Sequence, residues 1–82
     1  MKLTPTELRV LQAFEEGQWS LASDIRRKAG IATYLRLFAV IDLLVSEGLV
    51  REDPNPTNNV WMTRTAAGTQ AIAAAKRSEV AA

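Results

Sequence analysis
The side chains that carry most enzymatic chemistry are absent: the 82 residues include no cysteine and no histidine. A disulfide, a thiolate or imidazole metal site, and a Ser-His or Cys-His nucleophile pair are therefore excluded. The carboxylates Asp24, Asp42, Glu47, Glu52 and Asp53 form no pair at a spacing suited to acid-base catalysis or a metal cage, so each reads as surface charge. The expectation is a protein that is no enzyme and takes no cofactor or metal. What remains is the chemistry of cations and hydroxyls. Lys and Arg total 10 against 9 Asp and Glu, a net charge of +1, so no overall cationic field announces a nucleic-acid binder. Such a function would need a local patch. Arg26-Arg27-Lys28 is one candidate run, and Thr33, Tyr34 and Arg36 cluster a few residues later.

These groups sit on elements that the sequence marks clearly. The longest helical signal is the stretch TYLRLFAVIDLLVSEGLV, residues 33–50. Thr33 can cap its start, accepting a backbone N–H that has no intrahelical partner. Leu37, Val40, Ile41 and Leu44 recur at the spacing of one helix face, and Gly48 supplies the left-handed stop. Before it, residues 20–29 read as a helix with Ala22, Ile25 and Ala29 inward. Gly30 closes that helix, and the Arg26-Arg27-Lys28 run lies on its last turn, where the macrodipole favours cations. Only a tight turn fits between Gly30 and Thr33, which makes a helix-turn-helix.

An earlier helix is expected from Thr4 to Glu16, with Thr4 and Glu7 at capping-box spacing, Pro5 in the first turn and Gly17 as the stop. Its inward face would be Leu8, Val10, Leu11 and Phe14. Residues 49–53 and 60–64 read as strands of a hairpin around PNPTNN, whose two prolines and three asparagines favour a loop. A buried Trp19 could add a third rung. Residues 65–80 read as an alanine-rich helix capped by Thr65, with Ala67, Ala71, Ile72 and Ala75 inward and Gly68 costing about 1 kcal/mol relative to Ala. With 48% apolar residues the chain reads as one globular domain. No stretch approaches the roughly 18 apolar residues of a membrane span, so a soluble cytoplasmic protein without membrane contact is expected.

The order of these elements, together with LTPTELRVLQAF, SDIRRKAG, IDLLVSEGLVRED and VWMTRTAAG, resembles winged helix-turn-helix domains across nearly the whole chain. The resemblance points to small bacterial, phage or plasmid transcription regulators of the MarR or PadR-like kind. It implies a mainly α fold with a small antiparallel sheet, in the order α-β-α-α-β-β-α. The helix-turn-helix would span about 20–48, the wing about 49–64 and the C-terminal helix about 65–80. It also implies double-stranded DNA as partner, with the third helix in the major groove. On the matching positions, Thr33, Tyr34 and Arg36 would face DNA. Arg36 would pair with a guanine edge, and Thr33 or Tyr34 with phosphate. Ser23, Arg26, Arg27 and Lys28 would contact phosphates, Arg51 and Arg64 would add charge at the base of the wing, and Asn58 would act at its tip. A palindromic site would call for a homodimer.

Two departures leave a second reading open. The wing tip carries no cation and follows Glu52 and Asp53, which repel phosphate. Leu35, Phe38, Ala39 and Leu43 fall at least partly outward on the third helix, a stripe suited to a protein partner. For each residue a plainer role stands beside the sharp one. The basic run can be a solvated face, and Arg36 can pair with Asp42 or Glu47. Phe38 and Leu43 can be extra core under the last helix, and Trp19 reads as core. Trp61 faces out if Val60 and Met62 face in, and with Phe38, Leu43 and Ile72 it is a candidate dimer or partner surface.

Overall fold
A computed structural model describes residues 2–54 and 60–81, with side chains as far as residue 77. The wing tip, including Asn58, lies outside the described residues. Helix α1 (Pro5–Ala13) opens with the expected capping box: Thr4 Oγ1 accepts from the Glu7 N–H at 3.1 Å and the Glu7 carboxylate accepts from the Thr4 N–H at 2.8 Å. It ends three residues sooner than the sequence suggested. Phe14 turns to extended backbone (φ −82°, ψ 152°) and its ring is 1% exposed, so burying that ring ends the helix before Gly17.

Strand β1 (Ser20–Leu21) leads directly into α2 (Ala22–Ala29) and then α3 (Tyr34–Ser46). Both helices close the same way. The Gly30 N–H donates to Arg27 O and the Ile31 N–H to Arg26 O; the Gly48 N–H donates to Val45 O and the Leu49 N–H to Leu44 O. These paired bonds require a left-handed residue, and the two glycines supply it at φ +70° and +75°. The second closure delivers the chain into β2 (Val50–Glu52), which pairs antiparallel with β3 (Trp61–Arg64). Sheet order is β1-β3-β2, with Ser20 opposite Met62 and Val50 opposite Arg64. The third rung thus exists, one residue later than Trp19.

That shift changes the tryptophan's setting. Trp19 is 40% exposed instead of buried, and the Arg51 guanidinium lies over its ring at 5.4 Å. Val60 is likewise exposed, while Met62 is fully buried and Trp61 half-buried. The core joins Val10, Leu11 and Phe14 of α1, Ile25 of α2, Leu37, Ile41 and Leu44 of α3, Val50 and Met62 of the sheet. Ile72 of α4 (Ala66–Ala81) closes it at 8% exposure. This corrects the expectation that Ile72 lines an interface.

Thr65 caps α4 and ties it to the end of α3. Its hydroxyl donates to Gly48 O at 2.7 Å and accepts from the Gly68 N–H at 3.1 Å. Gly68, not Ala67, faces inward; Ala67 is exposed. A Cβ at Gly68 would run into Leu49 O and would stand 2.7 Å from Arg64 Cγ. The glycine lets α4 approach the sheet closely, so its propensity cost has a packing reason.

Candidate nucleic-acid interface
The candidate surface begins with a geometric fact: α3 leaves α2 at 101° across the short connection. That angle lies within the 90–120° typical of helix-turn-helix pairs. With Leu37, Ile41 and Leu44 fully buried, the 3.6-residue period turns Leu35, Arg36, Ala39 and Asp42 outward, and all four are exposed. Thr33 fixes where the helix starts, its Oγ1 accepting from the Arg36 N–H at 3.2 Å. Tyr34 is 45% exposed, Leu35 86% and Phe38 37%.

A small stack organises the leading turn. Arg26 of α2 places its guanidinium 4.8 Å from the Tyr34 ring centroid and donates from Nη1 to Ile31 O at 3.2 Å. Tyr34 in turn stacks on Phe38, one helical turn further on, with centroids 6.2 Å apart and planes at 26°. Cation-π attraction and the bond to the connecting turn hold the end of α2 against the start of α3. Arg26 Nε is buried without a hydrogen-bond partner. Arg26 is thus a brace between the two helices first and a surface cation second.

The other expected contacts separate into groups. Ser23, Lys28 and Arg36 are exposed. Arg27 is exposed but shares its charge with Asp24 through an ion pair on the same helix. Arg36 forms no ion pair with Asp42 or Glu47 among the described residues. Arg51 is exposed, resting over Trp19.

Arg64 departs from its expected place. Its Nη1 donates to Phe14 O at 2.8 Å and Leu11 O at 3.4 Å, and its Nε donates to Thr69 Oγ1 at 3.1 Å. Those carbonyls belong to the end of α1, which has no other basic residue in its last turn. The guanidinium therefore serves the fold rather than the wing. Leu43 is half-buried, so the outer stripe is Leu35, Phe38 and Ala39.

Sequence reading missed the Arg26 brace and the Arg64 closure. Both join residues on different elements, and no periodic signal links them. The Trp19 and Arg51 contact is hidden for the same reason. Among the described residues no cluster of three or more acidic groups could hold a metal. An open depression of 470 Å³ lined by Gln12, Arg64, Thr69, Ile72, Ala73 and Lys76 shares no residue with the α3 face. No single helix among the described residues is long and apolar enough to cross a membrane.

No protein-family model matches the chain, and no curated protein matches it. Among solved structures, a double variant of Lactococcus lactis ZitR is similar, with a TM-score of 0.69 at 22% identity. The match covers 98% of this chain and 53% of that one, so the chain spans about half the length of ZitR. The likeness is one of fold: four helices and a three-stranded antiparallel sheet in winged helix-turn-helix order.

Proposed function
We propose that the chain is a sequence-specific DNA-binding transcription regulator that lays the leading turns of α3 in the major groove. One observation carries the reading: α3 stands at 101° to α2 with Tyr34, Leu35 and Arg36 open to solvent, and α2's basic end is held against it by Arg26. In this arrangement Arg36 reaches base edges, Ser23, Arg27 and Lys28 meet phosphates, and Arg51 adds a contact beside the wing. Thr33 keeps its structural role as cap and offers only its hydroxyl proton. A single module of this size grips DNA weakly, so the protein acts as a homodimer on a two-fold site. Half-buried Trp61 and the outer side of α4 are the dimer surfaces in this reading.

Titrating labelled duplexes from a random-core pool with the 82-residue chain tests the reading directly. Affinity should fall steeply with salt, and Arg36→Ala should relax sequence preference by about 1–3 kcal/mol at the position it reads. Absence of a shift on any duplex at low salt would end it. A second reading, a winged-helix module that binds a protein, is favoured by the exposed Leu35 and Phe38. It requires that duplex affinity be negligible at low salt.

A further inference from the structure
We infer that Leu35 and Ala39 read thymine C5-methyl groups, which makes the outward apolar stripe of α3 a specificity element for thymine-bearing major-groove steps. This rests on the DNA-binding reading above. Leu35 is 86% exposed on the first turn of α3, and Ala39 follows one turn later on the same face. Within the major groove only thymine presents an apolar group; the other base edges offer hydrogen-bond donors and acceptors.

The rest of the leading turn has little hydrogen-bonding capacity to read those edges. Thr33 Oγ1 already accepts from the Arg36 N–H and keeps only its proton to donate, and Tyr34, its ring packed by the Arg26 guanidinium and the Phe38 ring, offers a single hydroxyl. Arg36 is the remaining strong donor beside Leu35. A protein could cover an apolar stripe, but this one is bordered by Arg36 and by the basic end of α2, which Arg26 joins to Tyr34. A methyl-lined floor flanked by phosphates complements that pattern in both polarity and charge. Asp42, exposed on the same face one turn beyond Ala39, sets the far limit, because a carboxylate there repels phosphate. Contact is therefore confined to the first two turns of α3.

The test takes the duplexes selected from a random-core pool and replaces their thymines by deoxyuridine one at a time, which deletes a single methyl group. At one or two positions the loss should weaken binding about fourfold, with the salt dependence unchanged. Leu35→Gln should abolish the difference at the position Leu35 meets while leaving the far-ultraviolet spectrum and melting temperature in place, because the side chain is 86% exposed. Equal binding of thymine and deoxyuridine duplexes, with steep salt dependence, would overturn this inference and leave the DNA reading standing. So would a methyl penalty that Leu35→Gln leaves unchanged at every position. Salt-insensitive or absent binding to every duplex would remove the DNA reading itself, and this inference with it.

Discussion

Arg64 and Arg36 look alike in sequence, yet only one of them is free to meet a ligand. Arg64 donates to Phe14 O at 2.8 Å and, at the long distance of 3.4 Å, to Leu11 O at the end of α1, and the closer, charge-assisted bond contributes about 1.5–3 kcal/mol net. Arg64→Met should therefore lower stability by about 2 kcal/mol in urea melts, with duplex affinity per folded molecule retained. Arg36→Ala should do the reverse, holding the melt and losing sequence preference. Gly68 offers a second residue-scale test. Alanine there gains about 1 kcal/mol of helix propensity, but its Cβ would press on Leu49 O and Arg64 Cγ. Overpacking of this kind costs about 1–3 kcal/mol, so Gly68→Ala should reduce stability in the same melts. Sequence alone gives the opposite sign, because the propensity cost is local and the close approach is not.

Among the elements, α3 was the most legible. Thr33, the Leu37-Ile41-Leu44 face and Gly48 are all local signals, and each does in the fold what its spacing implied. Thr33→Ala should cost about 1 kcal/mol and, by fraying the leading turn, should weaken duplex binding as well; thermal melts and gel shifts on one preparation measure both. Boundaries set by tertiary contact were harder to read. Helix α1 stops at Ala13 because Phe14 is drawn into the core, and β1 starts after Trp19 because pairing with β3 fixes Ser20 opposite Met62. In α4 the alanine-rich sequence has no sharp periodicity, so the inward position fell on Gly68 rather than Ala67. The stripe of Leu35, Phe38 and Ala39 was visible from spacing, but its exposure needed the three-dimensional fold.

At the scale of the whole molecule, a net charge of +1 means that the proposed DNA affinity would come from placement rather than from total charge. Arg27 is exposed on the last turn of α2 and Arg36 on the first turn of α3, Lys28 stands beside α1 with Arg9 and Glu15, and Arg51 lies over Trp19, while Glu52 follows on β2. A homodimer would double that set of cations along one duplex face; sedimentation of the DNA complex should give two chains per site. The central claim is that the face carrying α2's basic end and the start of α3 is the DNA surface, and the direct measurement is the dependence of log Kobs on log salt concentration for a selected duplex. Three phosphate contacts per protomer, six in the dimer, predict a slope of about −5, made shallower by about 2 for each of Arg27→Ala and Lys28→Ala, which each remove two contacts. A slope near zero, or one that both substitutions leave untouched, would contradict it.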